Sequence, residues 1–330
     1  QAEDGIRDFC LSRGLGDVYK RQENRCIVIC GPTASGKSAL AMKLANELNG
    51  EIINADSMQV YNELKILTSR PSTNDAQNIP HNLFGIRKMV EPCSVNIWIK
   101  LAKKSISEII DRGRTPIACG GTGMYIHYLS KRLSKIPEIP NRVRLQAREK
   151  LKMIGNENFS KELVKLDPLA KSRINDNDTQ RTLRAYEVKK YTKTSLFRWH
   201  ENTQKNFEEK DFLKIYVDCP RNDLIYRINK RVDKMIEVGA IKEVKKYRNL
   251  KIKKDNSSNK VIGINEIYKF LDGDQNIDVT KEQICIKTRQ YAKRQRTWAR
   301  SQMSNWEKLD YKKLASYSKK IKISSLKLDQ

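Results

Sequence analysis

The string GPTASGKS, residues 31–38, constrains the fold of this chain more than any other feature. It follows the apolar run CIVIC (26–30) and leads into SALAMKLANEL (38–48), whose apolar residues recur at helical spacing. A strand, a glycine loop and a helix in that order make the phosphate cradle of P-loop proteins. Backbone groups across Gly31, Pro32, Thr33, Ala34, Ser35 and Gly36 wrap phosphate oxygens, Lys37 adds a point charge, and Ser38 can ligate Mg²⁺. The amino end of the helix adds partial positive charge. The loop by itself leaves open whether the bound group is a nucleoside triphosphate or another diphosphate.

Other strand-like runs follow: EIINAD (51–56), TPIACGGTG (115–123), which ends in a second glycine turn, and KIYVDCP (214–220). Between them SVNIWIKLAKKSISEIIDRG (94–113) reads as an amphipathic helix closed by Gly113. Strands alternating with helices predict an α/β fold with a doubly wound, mostly parallel sheet. From 131 to about 211 the strand signal disappears, and a helical insertion is expected. Its stretch 167–191 reads as helical from near Asp167 and Pro168. The expected layout is a P-loop core over 23–135 and 212–310 with C-terminal helices, a helical insertion over 136–211, a loop near 253–260, and a basic tail over 311–330. Residues 1–22 fit nothing that follows. They have neither the long apolar stretch of a signal peptide nor the acid-poor character of a transit peptide, and are expected to be a non-native, disordered extension.

The 330 residues carry a net charge of +26. Such a surface suits a polyanionic partner such as nucleic acid. The Lys, Asn and Ile richness of an AT-biased genome would give the same balance. No apolar run reaches the ~18 residues of a membrane helix, so a soluble, cytoplasmic protein without membrane association is expected. The seven cysteines form no C-x-x-C pair and only three histidines are present, so no zinc site is expected. Cysteines in apolar runs suit a reducing compartment.

Several positions could carry chemistry. Asp56 ends a strand next to the P-loop and so points toward the ligand crevice. It could hold Mg²⁺, act as base or acceptor for an incoming nucleophile, or simply cap a turn. GGTG (120–123) could bring backbone to a ligand, with Thr122 as its polar handle, or be a plain turn. QRTLR (180–184) sets Arg181 and Arg184 on one helix face, to bind a partner or merely to face solvent. KRQRTWAR (293–300) packs Lys293, Arg294, Arg296 and Arg300 around Trp298. That pattern suits phosphate contact and base stacking, or an exposed basic helix with its Trp in the core. Arg227 and Arg231, one turn apart, could clamp a diphosphate or be surface charges.

Taken together, GPTASGKS, ADSMQVY, GGTGMYI, DPLAKSRINDNDTQRTLRAYEV, RVDKMIEVG and KRQRTWAR closely resemble the tRNA dimethylallyltransferases, also called tRNA isopentenyltransferases, over about residues 25–305. The resemblance implies transfer of the dimethylallyl group of dimethylallyl diphosphate to N6 of adenosine 37 of tRNA, releasing diphosphate. The P-loop would then hold the diphosphate of the donor, and ATP would not be the substrate, although the loop pattern alone reads as nucleotide-binding. By the same resemblance Asp56 would accept from the N6 amine, and Ser57, Met58 and Gln59 would hold the base. Thr122 would meet the reacting centre or the RNA. Lys37 and Arg231 would grip the leaving diphosphate, with Mg²⁺ at Ser38. Gln180, Arg181 and Arg184 would hold the anticodon stem-loop. Lys293, Arg294, Gln295, Arg296, Thr297, Trp298 and Arg300 would do so from the other side, with Arg144 as a further contact. A monomer is expected.

The sequence departs from the family at LTSRP (67–71), where Leu67 stands for a glycine and Ser69 for an alanine. It departs again at Ile264 and Asn265, and at PHNLFGI (80–86), which has one His where a pair is usual. No C-terminal zinc module is evident, which fits the bacterial type. Two rivals keep the P-loop: a kinase of a small metabolite, and a nucleic-acid-binding module whose loop only senses nucleotide.

Overall fold

The computed structural model describes residues 26–317 except 73, 75–77, 131–132, 202, 205–206, 208–210 and 253–255. The extension expected over 1–22, and the basic tail from 318 on, lie outside the described residues. The chain divides into two units.

The larger unit holds residues up to 130 and from 207 on. In chain order it contains β1 (Cys26–Cys30), α1 (Lys37–Glu47), β2 (Gly50–Asn54), β3 (His81–Asn82), α2 (Val95–Asp111), β4 (Thr115–Gly120) and α3 (Gly123–Ser130). The smaller unit, residues 131–206, contains β5 (Leu133–Ser134), α4 (Asn141–Leu166), α5 (Thr179–Thr192), α6 (Leu196–Glu201) and β6 (Thr203–Gln204). The larger unit then resumes with β7 (Phe212–Asp218), α7 (Arg221–Val238), α8 (Ala240–Arg248), α9 (Ile264–Leu271), α10 (Ile277–Gln302) and β8 (Glu307–Asp310).

Among the described residues six strands form one sheet in the order β3-β2-β4-β1-β7-β8, and every neighbouring pair is parallel. Parallel strands joined by helices are covered on both faces, which is why CIVIC and GEIIN are buried at every position. Ile29, Leu40, Leu44, Ile117, Ile215 and Val217 form the core between sheet and helices. Edge strand β8, EKLD, buries only Leu309, and the sequence reading missed it.

Ser94 caps α2 by accepting the Ile97 N–H. The helix buries Trp98, whose indole N–H donates to the Asn54 carbonyl at 2.8 Å. The same ring stacks on Tyr125 of α3, with centroids 4.3 Å apart. This pair pins the carboxyl end of β2, two residues before Asp56.

In the smaller unit α4 bends at Gly155, whose φ of 76° and ψ of 169° lie outside helical geometry. Around the bend Phe159, Leu163, Leu183, Tyr186 and Phe197 form a separate core. The long helix expected from Asp167 begins instead at Thr179; Pro168 opens only one 3₁₀ turn. The physical reason is the INDND run. Asn175 accepts the Asn177 N–H at 2.9 Å and Asp178 accepts the Arg181 N–H at 3.1 Å, so local side-chain bonds replace helical ones until Asp178 caps α5. The short antiparallel β5–β6 pair gave no sequence signal. Among the described residues no helix is long and apolar enough to cross a membrane.

Candidate active site

The P-loop leaves β1 and turns into α1 through two left-handed residues, Ala34 (φ 64°) and Gly36 (φ 96°). Gly36 is the N-cap of α1 and supplies no capping side chain, so the N–H groups of the first turn stay available to an anion. Lys37 folds back to donate to the Pro32 carbonyl at 3.2 Å. Burial pushes its ammonium below the ordinary lysine value; Arg231 adds to the fall and the Asp56 carboxylate opposes it. Burial likewise lowers Arg231, again opposed by Asp56. Arg231 reaches the loop from α7 and donates to Thr33 Oγ1 at 2.8 Å. One turn earlier Arg227 lies over the Tyr311 ring, 5.2 Å from its centroid.

Lys37, Ser38, Asp56, Arg227 and Arg231 line a cavity of about 500 Å³. A second cavity, of about 330 Å³, is lined by Ile228, Val232, Met235, Val261, Ile284 and Tyr291. Thr33, Asp56, Thr68 and Arg231 line both. An anion-attracting chamber and an apolar one therefore share a wall that carries one carboxylate.

Asp56 is held by its own loop. The Asn54 side chain accepts the Asp56 N–H at 2.8 Å and donates to the Asp56 carbonyl at 3.0 Å. Asp56 Oδ1 accepts the Met58 N–H at 2.9 Å. Thr122 Oγ1 accepts the Ser57 N–H at 2.8 Å and donates to Ser57 Oγ at 3.2 Å. The Tyr291 phenol lies beside it, and burial pushes that phenol well up. The structure thus engages Thr122 in fixing the Asp56 loop. Gln59 donates to the Thr68 and Ser69 carbonyls at 2.8 and 3.1 Å, clamping the divergent LTSRP segment. That segment is braced elsewhere too. The Glu243 carboxylate accepts the N–H groups of Ile66 and Leu67, and Arg70 donates to the Tyr61 carbonyl. Leu67 packs against Gly263, where a Cβ would lie 2.7 Å from its Cδ2.

The GGTG turn is a packing device. A Cβ on Gly120 would stand 2.1 Å from the Ala55 backbone, one on Gly121 2.2 Å from Gln295 Nε2, and one on Gly123 2.5 Å from the Trp298 ring. Both of those side chains come from α10. Gln295 accepts the Thr33 N–H at 2.8 Å and donates to the Gly121 carbonyl at 2.9 Å.

The basic segment of α10 divides. Arg294 lines the apolar chamber, while Gln295 and Trp298 meet the loop and the glycine turn. Lys293, Arg296, Thr297 and Arg300 line a separate groove of about 570 Å³ with Arg221 and Arg289.

In the smaller unit Gln180 and Arg181 are exposed on the first turn of α5. Arg184 lies 3.8 Å from buried Glu187. Burial pushes the Glu187 carboxyl up, and Arg184, Arg144 and Arg148 pull it back. Arg184 and Arg144 thus gather around Glu187, while Arg181 pairs with Asp178 at 3.3 Å.

The sequence reading missed Tyr291, Met235, Val261 and Ile284. Only Tyr291 had a signal, standing one helical turn before Gln295 in a run already read as basic and helical.

The donors at the start of α1 suit a hard divalent ion. Ser38 and Asp56 offer oxygens to one cavity. Among the described residues no group of three or more His, Cys, Asp or Glu forms a closed cage. Such a sparse set fits an ion that keeps waters and takes other ligands from phosphate, as Mg²⁺ does.

A family model described as IPP transferase matches residues 59–302, and one described as isopentenyl transferase matches 24–91. The tRNA dimethylallyltransferase of Pelagibacter ubique is 50% identical over 309 residues, 94% of this chain and 99% of its own length. That of Rickettsia canadensis is 41% identical, covering 92% and 93%. Among solved structures, the tRNA isopentenylpyrophosphate transferase of Bacillus halodurans is 33% identical with a TM-score of 0.64, over 93% of this chain and 97% of that one. A eukaryotic dimethylallyltransferase, captured in crystallographic snapshots acting on tRNA, is 29% identical with a TM-score of 0.74, over 87% and 73%.

Proposed function

The chain belongs to the tRNA dimethylallyltransferase family and is a prenyltransferase acting on tRNA, and we propose that its donor is dimethylallyl diphosphate and its acceptor the N6 amine of adenosine 37, beside the anticodon. The observation that carries this reading is the shared wall. Asp56 borders both a cationic chamber suited to diphosphate and an apolar one suited to carbon or a base.

In the reaction the C1–O bond of the donor breaks with both electrons leaving on the diphosphate. The allylic carbon takes up positive charge, and the N6 lone pair closes the new C–N bond. The N6 proton passes to Asp56, whose carboxylate lines the same cavity as Lys37 and Arg231. The departing anion is stabilised by the open N–H groups of the loop, by Lys37 and by Arg231, which line one cavity. Ser38 would hold Mg²⁺, which when bound would neutralise charge building on the leaving oxygens. The base leaves its stack to reach the site. Ser57 and Met58 flank it; Lys293, Arg296 and Arg300 offer charge to RNA phosphates from the larger unit, and Gln180, Arg181, Arg184 and Arg144 do so from the smaller. The protein works as a monomer in the cytoplasm.

The experiment is incubation with labelled dimethylallyl diphosphate and unmodified tRNA carrying A36-A37, followed by nucleoside analysis. Label on N6 of adenosine 37 is the expected result. No label, or label on tRNA lacking that adenosine, overturns the reading.

A further inference from the structure

We infer that Gln295 is a positioning residue of the diphosphate cage, its side-chain amide tying the P-loop to the glycine turn that holds the Asp56 loop. The inference rests on the reading of the P-loop as the diphosphate site. Gln295 stands 262 residues from Thr33 in sequence, yet its Oε1 accepts the Thr33 N–H at 2.8 Å, while its Nε2 donates to the Gly121 carbonyl at 2.9 Å. The two backbone partners have opposite polarity. Among side chains of this length only a carboxamide serves both at once; a carboxylate would turn a lone pair toward the Gly121 carbonyl.

Thr33 is thereby fixed twice, through its N–H by Gln295 and through its hydroxyl by Arg231. Its amide is withdrawn from the ligand, and the cradle begins beyond it. Gly121 belongs to the same device, since any Cβ there would strike Nε2 at 2.2 Å. Gln295 and Trp298 occupy one face of α10, where Gln295 meets the loop and Gly121 and Trp298 meets Gly123. Lys293, Arg296 and Arg300 line a different groove. Gln295 therefore sits in a basic run as a link inside the protein, and both poles of its amide are used there.

The test is Gln295→Met, nearly isosteric and without either hydrogen bond. Titration with inorganic pyrophosphate reads the cage, and binding of an anticodon stem-loop RNA reads the RNA surface. Wild type must bind pyrophosphate; if it does not, the diphosphate reading itself fails. Given that it does, Gln295→Met is expected to weaken pyrophosphate binding by about five- to thirty-fold. KM for the donor should rise while RNA affinity stays within about twofold and the salt slope is unchanged. Gln295→Glu, which keeps one hydrogen bond, should weaken pyrophosphate at least as much, because the added charge repels it. Gly121→Ala, which displaces the amide from the other side, should reproduce the Met phenotype. Lost RNA binding with unchanged pyrophosphate binding overturns the inference, as does no change in either. If Gln295→Met fails to fold, the Glu and Gly121→Ala variants decide by the same two titrations.

Discussion

Replacing Asp56 by Asn separates the chemistry of this carboxylate from its local bonding. Asn keeps an Oδ1 that can accept the Met58 N–H, bonded at 2.9 Å in the native loop, and keeps the shape on the shared wall. It loses the charge and the capacity to take a proton. General-base assistance contributes about 10²–10⁴ in rate, or about 2.7–5.4 kcal/mol at about 1.36 kcal/mol per decade. Single-turnover transfer of labelled donor at saturating tRNA should slow by that factor. Stem-loop affinity should stay within about threefold, because the change leaves the phosphate contacts alone. Pyrophosphate should bind as tightly or more tightly, since a negative charge is removed from the wall of its chamber. Asp56→Ala should match Asn in rate but also free the Met58 N–H, costing about 0.5–1.5 kcal/mol. At about 2–4 °C per kcal/mol for a chain of this class, its melting point should fall by about 1–6 °C. An Asn variant that keeps more than about a tenth of the rate would reduce Asp56 to a turn cap and refute the argument.

Arg231→Gln should lower kcat/KM for the donor by about 10²–10³ with RNA affinity nearly unchanged, and Arg231→Lys should fall between, because a point charge replaces a fork; steady-state kinetics against donor concentration reads both. Gly123→Ala forces a Cβ to within 2.5 Å of the Trp298 ring, and should cost about 1–3 kcal/mol in a melting experiment. Adding Trp298→Leu should recover part of that loss, and strict additivity would show that the two do not meet. Glu51 is buried and bonded to Arg112 at 2.9 and 3.1 Å and to Asn82 at 3.0 Å. Burial alone would raise its carboxyl, but those bonds outweigh it and hold it below the ordinary value. A depressed carboxyl stabilises the fold above the ordinary glutamate range near about pH 4.5, and that contribution is lost as pH falls further. Denaturant titrations should therefore show Glu51→Gln closing its stability gap with wild type below about pH 4.

The central strands were legible because parallel strands buried on both faces must be written in unbroken apolar letters. CIVIC and EIIN say so directly. β8 was not, because an edge strand needs one buried residue and EKLD supplies only Leu309. The start of α5 was misread because Pro168 resembles a helix opening, whereas the INDND run bonds to its own backbone. At the site, Asp56 and the P-loop could be found locally, since strand, turn and helix lie within a few residues. The work of GGTG could not. Its glycines answer to Ala55, Gln295 and Trp298, and the last two lie far along the chain. The bonds of Gln295 to Thr33 and Gly121 were not legible either, because helical phase decides which groups share a face and composition does not.

The strand order has a consequence for synthesis on the ribosome. β1 needs β4 on one side and β7 on the other. β4 is complete at residue 120 and β7 only at 218, with the smaller unit translated in between. At ordinary elongation rates the apolar CIVIC strand thus waits on the order of 5–20 s with one open edge, a template for pairing with other nascent chains. Stalled chains ending near residue 180 should accordingly recruit a holdase and be cleaved near residue 30 by protease, and chains long enough to expose β7 should be spared.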